Sequence, residues 1–132
     1  EYTPSGIEML AARGNILIAA RAAGVQCFDT VFTRLEDMEG FRKEVIMNKE
    51  MGFDGKSVVS PKQVSIVHEI YVPTAKEIYE SERIVATIKE NAAKGIGIFS
   101  LDGKMLDIAF LPGAERILLM AKVCGTYEGD LV

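Results

Sequence analysis

Two short β-rich segments, each set between helical segments, constrain the fold of this chain most strongly. Residues 25–32 read VQCFDTVF and are almost continuously apolar, as is typical of a strand buried on both faces of a parallel sheet. A second, shorter strand is predicted at 56–59, and helical spacing predicts helices over 6–23 and 37–51. This order, with short connections, is typical of βα units around a parallel sheet, so the chain is predicted to be α/β.

Capping signals indicate where the helices begin. Ser5 and Glu8 have the spacing of a capping box ahead of the first helix. Ser60, Pro61 and Gln63 open a third helix, with Ser60 as the N-cap, Pro61 at the first helical position and Gln63 closing the box.

The second half of the chain follows a different pattern. Thr74 and Glu77 are predicted to cap a long helix that ends near Ala93. The dipeptide Asp102-Gly103, flanked by apolar residues, predicts a two-residue β-hairpin, and a last helix is predicted from Pro112 to Val123. Because a further βα unit would return to a parallel strand, we expect residues 1–72 to hold the βα units and residues 73–132 to form an extension.

Asp107 stands in an otherwise apolar run, 105–111, at the end of the predicted hairpin. An ionised carboxylate in such surroundings needs a partner or water, since burying it alone costs several kcal/mol or forces it to take up a proton. Two interpretations stay open: Asp107 caps the helix that starts near Pro112, or it serves in catalysis.

Composition excludes several classes of protein. The net charge of −4 and the pI near 5.1 give no basic surface for nucleic acid, and the apolar runs are far shorter than the roughly 20 residues that span a bilayer. With 48% hydrophobic residues, a packed core is expected. Two cysteines, Cys27 and Cys124, make a disulfide framework improbable and predict a cytoplasmic protein. The chain starts at Glu1 without a methionine, so we expect a fragment or a processed product.

Four sequence blocks, AARAAGVQCFDTVF, GFDGKSVVSP, YVPTAKEI and SLDGKM, resemble the C-terminal part of the citrate lyase beta subunit family. That family belongs to the metal-dependent aldolase and acyl-CoA lyase superfamily. The resemblance runs over essentially the whole chain. It implies the C-terminal part of a TIM (β/α)8 barrel, with 25–32 and 56–59 as its last two strands. It also implies that the extension 73–132, a helix, a β-hairpin and a helix, crosses to a neighbouring subunit of a homo-oligomer, with a trimer as the expected state.

The resemblance further implies a lyase that cleaves citryl-CoA, or its acyl-carrier-protein thioester, to oxaloacetate and an acetyl thioester within a complex of citrate lyase subunits. A malyl- or citramalyl-CoA lyase or thioesterase is the near alternative. Relatives need Mg²⁺, whose ligands would precede Glu1, so no metal ligand is assigned in this chain. A non-catalytic oligomerisation fragment is the alternative for the chain alone.

Five residues match functional positions of the family. Asp107 matches an Asp that relatives insert into the next subunit's active site as general acid or base; relatives usually have Pro two residues later, whereas this chain has Ala109. The other four would bind substrate or CoA: Asp29, Lys56, Ser60 and Pro61. Alternatives remain, because Asp29 and Lys56 could make local hydrogen bonds or ion pairs and Ser60 could simply cap a helix.

Overall fold

The computed structural model describes Thr3 and residues 5–132, which form two compact units, Glu1–Tyr71 and Val72–Val132. The first unit contains helices and a parallel strand pair in alternation: α1 (Leu10–Ala23), β1 (Phe28–Asp29), α2 (Met38–Met51), β2 (Gly55–Lys56) and α3 (Pro61–Tyr71). The second unit contains α4 (Ala75–Ala93), β3 (Ile98–Leu101), β4 (Lys104–Asp107) and α5 (Leu111–Val123). None of the helices in the described residues is long and apolar enough to cross a membrane.

The two strands of the first unit are parallel, as predicted, but much shorter than 25–32 and 56–59. Phe28 pairs with Gly55 and Asp29 pairs with Lys56, and the regular pairing ends there. A Cβ atom at Gly55 would lie 2.8 Å from the ring of Phe28, so a larger residue there would have to displace that ring. The apolar composition predicted that strands form here, but it does not predict the residue at which the two strands stop pairing.

The first helix begins differently from the prediction. Its first turn is a 3-10 turn, Ile7–Met9, preceded by Gly6 at φ 63°. Glu8 accepts hydrogen bonds from the backbone N–H of Thr3 at 2.8 Å and from the Thr3 hydroxyl at 2.5 Å. The predicted capping box of Ser5 with Glu8 is therefore wrong, and Thr3 is the partner of Glu8.

Aromatic and aliphatic side chains join α2 to α3 and to the loop after β1. Phe41 and Val45 of α2 are fully buried, and Phe32 packs against Phe41 with ring centroids 5.7 Å apart. Partly buried side chains complete this cluster: Met38, Ile66, Val67, Ile70 and Tyr71. The buried face of α2 therefore includes Phe41 and Val45, four residues apart as helical spacing requires.

The second unit is built on the packing of α4 against α5. The predicted capping box is present, because the Thr74 side chain accepts from the Glu77 N–H while the Glu77 side chain accepts from the Thr74 N–H. The core of this unit is formed by buried residues from both helices and the C-terminal segment: Val85, Ala114, Leu118, Ala121 and Tyr127.

The hairpin forms as predicted. Asp102 and Gly103 have φ 51° and 77°, the left-handed values that a type I′ turn requires at both central positions. Four residue pairs join β3 to β4, from Ile98 with Asp107 to Leu101 with Lys104. Arg83 of α4 pairs with Asp102 through both guanidinium Nη atoms, which ties the turn to the helix.

Candidate functional site

Asp29 and Lys56 lie side by side at the ends of the two parallel strands. They are register partners, and the Lys56 ammonium donates to Asp29 Oδ2 at 2.8 Å. Both side chains are almost fully removed from solvent, with 5% of Asp29 and none of Lys56 exposed. The structure thus brings together two of the residues predicted to bind substrate.

Three further residues complete this buried charge cluster. Arg13 of α1 makes a two-pronged contact with Asp29, from Nε to Oδ1 at 3.0 Å and from Nη2 to Oδ2 at 2.9 Å. Glu44 of α2 bridges the two cations, since it lies 3.1 Å from Arg13 Nη2 and also accepts from Lys56. Asn48 of α2 donates to Asp29 Oδ2 at 2.7 Å. The cluster holds two positive and two negative groups, and it joins both helices to both strands.

The electrostatics of the cluster favour an ionised Asp29. Burial alone would raise the pKa of this carboxyl, but the hydrogen bonds from Arg13 and Lys56 and their positive charges outweigh burial and hold the pKa below its usual value. Burial likewise opposes the charged form of Arg13, yet its contacts with Asp29 and Glu44 raise the pKa of the guanidinium. Arg13 and Asp29 are therefore charged together.

Sequence reasoning did not single out Arg13, Glu44 or Asn48 as members of this cluster. A signal was present on α2, because Asn48 follows Phe41 and Val45 at helical spacing and so lies on the buried face. A polar side chain on such a face needs a partner, and the partner is Asp29. Two buried atoms, Arg13 Nη1 and Asn48 Oδ1, make no hydrogen bond within the described residues.

The charge cluster does not fit a divalent metal ion. Asp29 and Glu44 converge, but Arg13 and Lys56 already contact both carboxylates, and these cations would repel Mg²⁺. Among the described residues, no group of three or more His, Cys, Asp or Glu side chains is placed to hold a metal.

Ser60 and Pro61 lie outside the charge cluster, where β2 leads into α3. Ser60 is half-buried, and its Oγ is 3.4 Å from the Lys62 N–H, a long capping contact. Gln63 does not close the predicted capping box on Ser60, because its side chain accepts from the Val59 N–H at 3.0 Å instead. Sequence reasoning found the helix start correctly and assigned the wrong partner to Gln63.

Asp107 belongs to the second unit, where it ends β4 and begins a 3-10 turn, Ile108–Phe110. It is half-buried, and its Oδ1 accepts from the Ala109 N–H at 2.8 Å. A proline at position 109 has no N–H and could not make this bond, so the alanine gives the carboxylate a local anchor. Ile108 lines an open apolar cleft of about 270 Å³ together with Ile88 and Phe99. Asp107 thus caps the 3-10 turn and not α5, whose N-cap is Phe110, so the predicted cap of the helix near Pro112 is wrong. The other oxygen of Asp107 lies outside the capping bond.

Comparison with known proteins identifies relatives over nearly the whole chain. Residues 1–61 match the family of HpcH/HpaI aldolase/citrate lyase. The citrate lyase subunit beta of Haemophilus influenzae is 44% identical over 92% of this chain, and that of Escherichia coli K12 is 41% identical over 97%. The chain spans 42% of the length of each of these two relatives. Two relatives are less similar. The rat mitochondrial citramalyl-CoA lyase is 34% identical over 86% of this chain and 34% of its own length. A (3S)-malyl-CoA thioesterase of Cereibacter sphaeroides is 32% identical over 98% of this chain and 45% of its own length.

Solved structures agree with these relatives. The CitE protein of Mycobacterium tuberculosis, crystallised with magnesium, acetoacetate and coenzyme A, superposes with a TM-score of 0.68 and 29% identity, over 85% of this chain and 40% of that protein. A citrate lyase of Burkholderia xenovorans at 18% identity, with a TM-score of 0.69, covers 92% of this chain and 37% of its own and supports the fold alone. With an α/β unit of this architecture and relatives above 40% identity, the resemblance read from the sequence is confirmed: residues 1–61 match the HpcH/HpaI aldolase/citrate lyase family, and nearly the whole chain is homologous to citrate lyase beta subunits.

Proposed function

We propose that the protein containing this chain is a citryl-thioester lyase, which cleaves citryl-CoA or a citryl acyl-carrier-protein thioester to oxaloacetate and an acetyl thioester. The observation that carries the proposal is the 41–46% identity to citrate lyase beta subunits over most of the chain. The parallel pair β1 and β2 would then be two of the eight strands of a TIM barrel, with the remaining strands supplied by the rest of the protein.

The chemistry of this reaction calls for a proton carrier. The substrate hydroxyl loses its proton, the electron pair of the carbon–carbon bond moves onto the α-carbon of the thioester as an enolate, and that carbon then gains a proton. A carboxylate can accept the hydroxyl proton and then donate it to the α-carbon, so the reaction has no net gain or loss of protons. We assign this role to Asp107, because the Ala109 N–H fixes one of its oxygens and leaves the other to carry the proton.

Asp29, Lys56, Ser60 and Pro61 are proposed to form or support the site for substrate and CoA. The supporting argument is their position, since all four lie at or just beyond the carboxyl ends of parallel strands, where ligands of parallel-sheet enzymes bind. Mg²⁺ is proposed for the whole protein, in line with the magnesium in the M. tuberculosis CitE crystal, and the described residues of this chain do not provide its ligands.

Assembly is part of the same proposal. We expect a homo-oligomer, with a trimer as the starting hypothesis, in which residues 73–132 contact a neighbouring subunit, together with other citrate lyase subunits including an acyl carrier protein. The exposed apolar side chains of the hairpin region support an interface. A cytoplasmic location is proposed on the ground that both cysteines are free.

A malyl- or citramalyl-CoA lyase, or a thioesterase, is the second candidate, because relatives with those activities match 86–98% of the chain at 32–34% identity. For the isolated chain, the alternative is a non-catalytic role in oligomerisation, because its described residues contain no identifiable metal site. Assays of the full-length protein with citryl-CoA, malyl-CoA and citramalyl-CoA separate the first two candidates.

Substitution of Asp107 in the full-length protein tests the proposed mechanism. We expect Asp107→Asn to lower kcat for citryl-CoA cleavage roughly 100-fold or more, the usual scale for loss of a general acid or base. Asp102→Asn, the same change at an exposed turn position of the hairpin, is the matched control and should retain activity. Full activity of Asp107→Asn would reduce Asp107 to a helix cap. Residues 1–132 alone should show no turnover, with or without Mg²⁺.

A further inference from the structure

Gln63 is a fully buried polar side chain near the carboxyl ends of the two strands, and the proposed reaction does not use it directly. It is the third residue of α3 and is 0% exposed. Its Oε1 accepts from the Val59 N–H at 3.0 Å, and its Nε2 donates to the Phe32 carbonyl at 3.1 Å. One amide thereby joins the loop that follows β1 to the loop that follows β2.

The Gln63 side-chain amide connects the two segments beyond the point where direct hydrogen bonds between the strands end. Backbone bonds from Asp54 N to Cys27 O at 2.8 Å and from Ser57 N to Asp29 O at 3.0 Å flank the paired residues. Further along the two segments, Val59 and Phe32 are connected through the Gln63 amide. An interposed amide holds a donor and an acceptor farther apart than a direct hydrogen bond would, so the two loops diverge and remain joined.

A capping role does not account for both of these bonds. A glutamine that closes a capping box uses its oxygen on the N–H of the N-cap residue and needs nothing from its amide nitrogen. Gln63 instead reaches Val59, the residue before Ser60, and its nitrogen bonds across to the other loop. Because each end of the amide meets a group of matching polarity, its orientation is fixed by the two loops.

We propose that Gln63 is a positioning residue for acyl-thioester binding: it sets the separation of the two loops that follow β1 and β2 and thereby the placement of the Ser60-Pro61 turn. The inference rests on the proposed function and adds to it a residue that need not touch the substrate. Ligands of parallel sheets bind between loops of this kind, so their spacing determines how well a ligand fits. Asp107 does not belong to these loops, and the chemical step therefore stays intact when the spacing changes.

Gln63→Met in the full-length protein tests the proposal. Methionine has a similar volume and a flexible chain, but it leaves the Val59 N–H and the Phe32 carbonyl without their partner. We expect KM for the acyl-CoA substrate to rise about tenfold and kcat to stay within about twofold, the pattern of lost binding without loss of transition-state chemistry. The dissociation constant for the acyl-CoA, measured by calorimetry, should rise in parallel. Gln26→Met, the same change at an exposed position, is the control and should keep both constants.

Each result decides the question. If Gln63→Met lowers kcat in proportion to a loss of folded protein seen by circular dichroism, with KM unchanged, Gln63 is a structural residue only and the proposal is overturned. Unchanged kinetics also overturn it, while wild-type turnover leaves the lyase function standing. A wild-type protein that neither cleaves nor binds any of the acyl-CoA substrates overturns the proposed function and this inference together.

Discussion

At the scale of single residues, the buried charge cluster joins α1 and α2 to the two strands of the first unit. Asp29 accepts hydrogen bonds from Arg13, Asn48 and Lys56, which come from two helices and the neighbouring strand. A buried ion pair adds little net stability, because the cost of removing charges from water offsets their attraction. Removal of one partner is much more harmful, since it leaves an uncompensated charge in the interior.

Asp29→Asn should therefore destabilise the protein strongly at neutral pH. Arg13 and Lys56 would keep only Glu44 as a counter-charge, and such losses typically cost about 3–5 kcal/mol. The measurement is the free energy of unfolding from urea titration of the full-length protein and its variants. Asp102→Asn, at an exposed ion pair with Arg83 in the hairpin turn, is the matched control and should leave the unfolding midpoint nearly unchanged.

The difference in unfolding free energy between wild type and Asp29→Asn should depend on pH, and the charge cluster fixes the sign of this dependence. Because the pKa of Asp29 is lower in the folded than in the unfolded protein, the unfolded state binds more protons as the pH falls below about 4. The stability that Asp29 contributes is present above that pH and is lost as the pH falls through the folded-state pKa. The difference between wild type and Asp29→Asn should shrink as the pH is lowered below about 4. A difference that stays constant over this range would show that Asp29 is not held ionised by its partners.

At the scale of elements, local chemistry predicted the helices and the hairpin, and tertiary contacts decided the rest. Thr74 with Glu77, and Asp102 with Gly103, act within a few residues of chain, so their bonds and dihedral angles follow from sequence alone. Gln63 and Glu44 make contacts with residues far away in the sequence, which local sequence patterns do not predict. Gln63 bonds to Phe32, 31 residues away, and for that reason the strand ends and the partners of the candidate site could not be predicted.

The hairpin turn predicts whether a glycine-to-alanine substitution lowers or raises stability. Gly103→Ala should destabilise the hairpin by about 1 kcal/mol, because an alanine at φ 77° meets the steric cost of the left-handed region. No atom within 4 Å would meet the added Cβ, so the cost is one of backbone conformation alone. Gly113→Ala in the first turn of α5, also in open space, should be neutral or stabilising. Urea midpoints test both, and equal effects of the two substitutions would contradict a strained turn.

At the scale of the whole molecule, exposed apolar side chains occur in both units, and those of the second unit lie mainly in and around its hairpin. Apolar side chains are frequent from Ile98 to Leu119, and one small chain can hardly bury all of them. The structure buries Leu106 and Leu118 and leaves several others open to solvent. The exposed members are Ile98 at 65%, Ile108 at 63%, Phe110 at 49% and Leu119 at 50%. Since three of these lie within residues 98–110, the hairpin and the turn after it are the part of this unit with most apolar surface to lose.

Residues 1–132 at micromolar concentration should therefore associate rather than remain monomeric. Burial of a large apolar side chain contributes about 1.5–3 kcal/mol, so covering even two of these side chains is significant beside the marginal stability of a small domain. Light scattering measures the mass directly. Ile108→Glu places a charge in this surface and should shift the population toward monomer, whereas Ile18→Glu, at an equally exposed apolar position on α1, should not. A cooperatively folded monomer for the unsubstituted chain would contradict an interface at the hairpin, and dissociation by Ile18→Glu alone would move the interface to the first unit.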